Sequence, residues 1–172
     1  MQKAVEYAEA QLAKCPRELV IGIAKDAEGK CNPIALGWMM NTSIRPPMMA
    51  VSIRNTHHSV KAFRHAGEFV VAYPSEHQAD ETMLYGTKSG RTCDKLALAD
   101  AAVQPASKID CVLLADAVAN FECRLVSEHA TGDHIIFVGE VVASHVNERP
   151  LNRLYIVGPN HALGGVPRTS SE

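Results

Sequence analysis

The sequence predicts a mainly β domain, an antiparallel barrel with short helices inserted between its strands. Three observations carry this. Short runs rich in β-branched residues recur, such as ELVIGIAK (18–25) and EFVVAY (68–73). Most neighbouring runs are separated by turn signals rather than by helix-length segments. Two late stretches flank Thr131-Gly132-Asp133 and have the length and patterning of a long hairpin. A closed barrel would also leave no exposed strand edge.

Taken in order, residues 2–13 are expected to be helical, with Val5, Ala8 and Leu12 on one face and Pro16 ending the pattern. Glu18 to Lys25 is expected as a buried strand, Asp26 to Gly29 as a turn, and Pro33 to Met40 as the hairpin partner. Pro46-Pro47 interrupts the chain before a third strand, Met48 to Arg54. Thr56 is expected to cap a helix that buries Val60 and Phe63 and closes at Gly67. Glu68 to Tyr73 is the next strand, and Ser75 is expected to cap a short helix reaching Tyr85. Residues 86–95, GTKSGRTCDK, read as a polar surface loop. Ala119 to Val126 alternates, with Phe121, Cys123 and Leu125 on one face and Glu122 and Arg124 on the other. His134 to Val146 is a continuous β-branched run. These runs make about six strands.

The length of 172 residues fits one domain, with the helix in 1–14 and a tail in 159–172. Hydrophobic residues make up 47%, and 17 basic against 19 acidic residues leave a net charge of −2. That balance argues against a disordered chain and against a nucleic-acid partner, which requires a concentrated basic face. No apolar run approaches the ~18 residues of a membrane span, and MQKAVEYAEAQLAKCP has no apolar signal core. The five cysteines contain no CxxC, so neither a disulfide framework nor a zinc knuckle is expected. A reducing cytoplasm is the expected location. Cys111 and Cys123 read as core thiols. Cys15, Cys31 and Cys93 lie beside loop signals, and a redox role is not the expectation for any of them.

Several stretches have the residue types of a binding site. Gly86 to Thr92 is not a P-loop, because three residues rather than four separate its glycines and Arg91 stands where Lys belongs. Lys88, Ser89, Arg91 and Lys95 are nevertheless phosphate-binding types, set against the plainer reading of a solvated loop. Arg54 to Ser59 spans a strand end and a helix start, where backbone N–H groups favour an anion, or where Thr56 simply caps. Asn32 to Ser43 holds the only Trp, Trp38, then Met39, Met40, Asn41 and Thr42. That run suits either core packing or a planar heterocycle. His134 follows Gly132-Asp133 at a strand start, the position of a surface histidine or of a proton donor in a cleft. Metal-ligand spacings, a GxSxG elbow and a GxGxxG fingerprint are absent.

In their shared order, these pieces resemble the flavin reductase-like family of FMN-binding split barrels, in its flavoredoxin-type branch. The resemblance covers roughly residues 15–158. It rests on Cys15-Pro-Arg, Asn32-Pro with Trp38, Asn41-Thr-Ser-Ile-Arg-Pro-Pro47 and Arg54 to Ser59. Further along it rests on Gly67-Glu-Phe-Val-Val71, Ser89-Gly-Arg with Asp94-Lys95, and Gly132-Asp-His134 leading to Gly139-Glu-Val141. It implies a six-stranded antiparallel Greek-key barrel, a homodimer, and one FMN per subunit near the dimer interface. It implies ring contacts from Met39, Met40, Asn41 and Thr42. It implies phosphate contacts from Arg54, Asn55, Thr56, Ser59, Ser89, Gly90 and Arg91. Asn32, Trp38, Ser59, Lys95 and His134 would surround the flavin, with Lys95 a candidate cation for its N1/O2 edge and His134 the catalytic candidate near a nicotinamide. NADH or NADPH would be the donor and free flavin, a ferric chelate, oxygen or a redox protein the acceptor. The alternatives are a flavoredoxin-like carrier reduced by a protein, and a flavin- or haem-binding protein without turnover. The branch often carries tail aromatics that cover the ring; here only Tyr155, with His161, occupies that region.

Overall fold

A computed structural model describes residues 1–167. A short helix, α1 (Tyr7–Ala13), precedes β1 (Val20–Lys25) and β2 (Cys31–Leu36), which pair as a hairpin around Asp26. The Asp26 carboxylate accepts the N–H groups of Glu28 and Lys30 and so fixes that turn. β3 (Met39–Ile44) and β4 (Pro47–Arg54) form a second hairpin, α2 (His58–Ala66) crosses over, and β5 (Glu68–Tyr73) returns beside β1. Then come α3 (Ala79–Thr87), α4 (Lys95–Leu98) and a small ribbon of β6 (Val103–Pro105) and β7 (Val112–Leu114). The long strands β8 (Ala119–Thr131) and β9 (His134–Val146) follow, and a terminal ribbon of β10 (Arg153–Ile156) and β11 (Leu163–Val166) ends the described chain.

The principal sheet has seven strands in the order β2-β1-β5-β8-β9-β4-β3, and every pairing is antiparallel. Its interior is filled by Val20, Leu36, Val51, Ile53, Phe69, Val71 and Phe137, closed from one end by Phe63 of α2. Phe63 stacks on Phe69 with ring centroids 4.9 Å apart and tilts against Phe137 at 5.3 Å. β1 and β5 are buried on both faces. Ile21, Ile23, Val70 and Ala72 point outward into a second cluster with Tyr85, Cys111, Leu113 and Leu114. Double burial explains why ELVIGIAK reads as an unbroken apolar run rather than an alternating one.

The structure adds two ribbons, β6–β7 and β10–β11, that the sequence did not announce, the second reaching into the expected tail, and it differs from the expectations at four further places. The expected strand 33–40 is two strands, split at the exposed Gly37-Trp38, and this raises the count from six to seven. α1 starts at Tyr7 and buries no residue; Val5, Ala8 and Leu12 are exposed. Thr56 does not cap α2. His57 holds that position and its side chain makes no capping bond, whereas Gly67 closes the helix at φ 64° as expected. Ser75 precedes a 3-10 turn (Glu76–Gln78) that leads into α3, and its N–H donates to the Gln78 side chain at 3.2 Å while its hydroxyl has no partner, so the expected cap is not made.

Candidate functional site

Two cavities open side by side where β2, the start of α2 and the end of α3 converge. The smaller, about 200 Å³, is lined by Thr56, His57, His58 and Ser59 at the head of α2 and by the segment from Tyr85 to Arg91 with Lys95. The larger, about 410 Å³, is lined by Leu36, Trp38, Arg54, Met83, His134, Ile156 and Leu163 among others. His57, Gly86 and Thr87 line both, so the two share a wall.

The smaller cavity is cationic. Lys88, Arg91 and Lys95 line it with two histidines, and no carboxylate does. Lys95 is buried at 3% exposure, although composition places it on a surface loop. It sits there because Asp94, whose carboxylate accepts the Ala97 N–H, starts α4 at that point and turns Lys95 inward. The Lys95 ammonium makes no ion pair among the described residues and donates only a long hydrogen bond, 3.4 Å, to the Tyr85 carbonyl. Burial pushes its pKa down to about 8. Ser59 is buried on the first turn of α2 and accepts a hydrogen bond of 2.9 Å from the Asn32 amide. The Asn32 carbonyl oxygen is buried with no partner. A Cβ at Gly90 would lie 2.1 Å from that oxygen, so only glycine lets the loop close over β2 here.

In the larger cavity Trp38 packs against His134, ring centroids 4.5 Å apart. His134 Nδ1 lies 2.6 Å from the Asp133 carboxylate, which fixes the ring and leaves Nε2 free. Asp133 also accepts from Arg54 at 3.2 Å, and His134 followed by Arg54 holds its carboxyl below the usual carboxylate range. Burial, then the charges of Arg54 and His134, push His57 down.

The fold therefore brings Thr56, Ser59, Ser89, Gly90, Arg91 and Lys95 together at one cavity, with Asn32 behind Ser59 and Gly90, and Trp38, Arg54 and His134 at its neighbour. Arg54 is not with Ser59: it leans across the β4–β9 ladder to Asp133. Asn55 is exposed, with its N–H on the Asp133 carbonyl. Met39 and Met40 line an adjoining cleft of about 440 Å³ that shares Arg17, Gly37, Trp38 and Ser52 with the larger cavity, and Asn41 and Thr42 are exposed on edge strand β3. His57, Thr87, Met83 and Asp133 were not singled out from the sequence. His57 and Asp133 do stand inside the motifs that were.

An anion fits the smaller cavity: a buried, unpaired cation, two serine hydroxyls and the α2 start face the same space. The unpartnered Asn32 oxygen lies under Gly90, and Asn32 lines neither cavity. The larger cavity suits a flat ring.

A family model described as flavin reductase like domain matches residues 12–161. The actinorhodin polyketide dimerase of Streptomyces coelicolor is 30% identical over 84% of this chain and 78% of its own length. The NADH-dependent FMN reductase AsuE2 of Streptomyces nodosus is 30% identical over 67% of this chain. The matched stretch spans only 61% of that reductase and 64% of an uncharacterised relative from Archaeoglobus fulgidus. Flavoredoxin from Methanosarcina acetivorans superposes with a TM-score of 0.85 at 22% identity, covering 100% of this chain and 95% of that one.

Proposed function

The chain belongs to the flavin reductase-like family, and from that premise we propose that it holds FMN across the two joined cavities and works as an NAD(P)H-dependent oxidoreductase. When bound, the flavin supplies the redox chemistry, taking a hydride from reduced nicotinamide and releasing electrons to free flavin, a ferric chelate or a redox protein. The observation that carries this reading is the smaller cavity, with three cationic side chains and no carboxylate in its lining.

Each residue then has a task. Ser59, Ser89 and Arg91, with the N–H groups at the head of α2, hold the phosphate. Lys95 lines the smaller cavity and not the larger, so its charge meets the phosphate end of the ligand rather than the N1/O2 edge of the ring. Asn32 positions the Ser59 hydroxyl from behind through its amide. Trp38 and Leu36 give the ring apolar surface. His134, oriented by Asp133, presents Nε2 at the nicotinamide side, an acceptor in the neutral ring and a donor in the protonated one. The names of the reductase and flavoredoxin relatives support a flavin as the ligand.

The purified protein is expected to be yellow, and its flavin band to bleach when NADH or NADPH is added without oxygen. A flavin band that persists with both nucleotides, and bleaches with a reduced ferredoxin-like protein, replaces the reductase reading with that of an electron carrier. A colourless protein that takes up no FMN removes both.

We also propose a homodimer. Edge strand β3 exposes Met40 and Ile44, the latter at 88%, and α1 exposes Tyr7 and Leu12. Ile44→Glu is expected to shift sedimentation from dimer to monomer.

A further inference from the structure

Cys31 and Cys111 stand 80 positions apart in sequence, yet their sulfurs are 4.0 Å apart. Cys31 opens β2 and is partly exposed; Cys111 lies just before β7 and is buried. No other two thiols are in contact among the described residues. Lys25 is the register partner of Cys31 across the β1–β2 ladder, and its ammonium pairs with Asp110, next to Cys111. We propose that Cys31 and Cys111 are a peroxide-reactive dithiol that closes to an intramolecular disulfide.

The two thiols have different surroundings and hence different tasks. The hydrogen bond with Cys111 pulls the Cys31 pKa down; burial opposes it, and the Lys25 ammonium and the Val112 N–H add to the pull, bringing it to about 7. Cys31 is therefore the thiolate and, being the more exposed, the sulfur a small hydroperoxide reaches. Cys111 is held protonated, first by its hydrogen bond with Cys31, then by burial and by the charge on Cys31.

The steps balance. The Cys31 thiolate attacks one peroxide oxygen, the O–O bond breaks, and hydroxide leaves, giving a sulfenic acid at Cys31. Loss of the Cys31 negative charge removes part of what kept Cys111 protonated. The Cys111 sulfur then attacks the sulfenyl sulfur, its proton goes to the departing oxygen, and water leaves. Two electrons pass from the two thiols to one peroxide, yielding one S–S bond and two waters. The sulfurs must close from 4.0 Å to the bonded distance of about 2 Å, a movement side-chain rotation on a strand end and a loop can supply. The link would tie β2 to the β6–β7 ribbon one residue before Asn32, behind the floor of the smaller cavity.

The test uses the full chain as purified, reduced and then exposed to a small molar excess of hydrogen peroxide. The expected result is a mass lower by two hydrogens. The free-thiol count should fall by two from the five cysteines, and one digest fragment should join the peptides of Cys31 and Cys111. A thiol reductant should restore the starting state. Cys111→Ser is expected to leave a sulfenic acid at Cys31 that a 1,3-dione reagent captures, and Cys31→Ser to form no disulfide. The wild-type peptide map decides the matter even if either variant fails to fold. Oxidation confined to Cys15 or Cys93, or a disulfide joining any other pair or two chains, overturns the proposal.

Discussion

Glu122 and Lys95 are both buried ionisable side chains, at 0% and 3% exposure, yet the fold treats them in opposite ways. Glu122 is surrounded by donors: the Ser107 N–H at 2.7 Å and hydroxyl at 2.8 Å, the Lys108 N–H at 2.7 Å, and His145 at 2.7 Å. Lys95 has one long bond to a carbonyl. Burial would raise the Glu122 pKa, but its donors outweigh that and hold it at about 2. Nothing comparable offsets the burial of Lys95, which sits at about 8. A charge satisfied by its own chain holds that chain together. Here Glu122 pins the segment between β6 and β7 onto β8. A charge the chain leaves short of partners is available to a ligand.

That contrast can be broken by experiment, starting where the effect is largest. Glu122→Ala strands two N–H groups and is expected to cost about 3–5 kcal/mol, the scale for removing one partner of a buried pair, read from the urea midpoint. The carboxyl is depressed in the folded state, so its contribution is present above its unfolded pKa of about 4.3 and lost as pH falls toward 2. Glu122→Gln should flatten that acid loss; equal acid sensitivity in both proteins would dismiss the assignment.

For Lys95 the sign reverses. Without flavin the unfolded chain keeps this proton to about pH 10.4 and the folded chain only to about 8. Stability is therefore expected to rise between those values, by about 2–3 kcal/mol. Lys95→Met should abolish the rise, and it should weaken FMN while leaving the flavin-free protein no less stable near neutral pH. A smaller effect is expected at the rim. Arg91→Ala and Ser59→Ala should each weaken FMN by about 1–3 kcal/mol and leave riboflavin, which has no phosphate, nearly unchanged. Equal losses with riboflavin would move the phosphate out of this cavity.

The strands were legible because burial leaves a pattern. The twice-buried β1 and β5 read as continuous apolar runs, and the hairpin turn at Thr131-Gly132-Asp133 was visible as such. The split at Gly37-Trp38 was hidden, because ALGWMM stays apolar through the break. Much of the site was legible through its motifs, but two of its facts were not. A loop as polar as residues 86–95 gives no hint that its last lysine turns inward. The pairing of Arg54 with Asp133 was hidden because the two are 79 positions apart and meet only across the β4–β9 ladder. The Cys31–Cys111 contact was invisible for the same reason: two thiols 80 positions apart meet only in three dimensions. The α1 face failed as a predictor because a stripe of apolar residues marks a helix without saying what will cover it.

The two outermost strands of the principal sheet, β2 and β3, are consecutive in the chain, separated only by Gly37 and Trp38. The ring is thus fastened by a two-residue clasp, and Trp38 is one half of it. Because the clasp is so short, the wall beside Trp38 cannot swing outward unless a ladder unzips. Entry and exit of a guest fall instead to the parts that are not woven into the ring: the end of α3, the glycine loop after it, and the terminal ribbon that roofs the larger cavity.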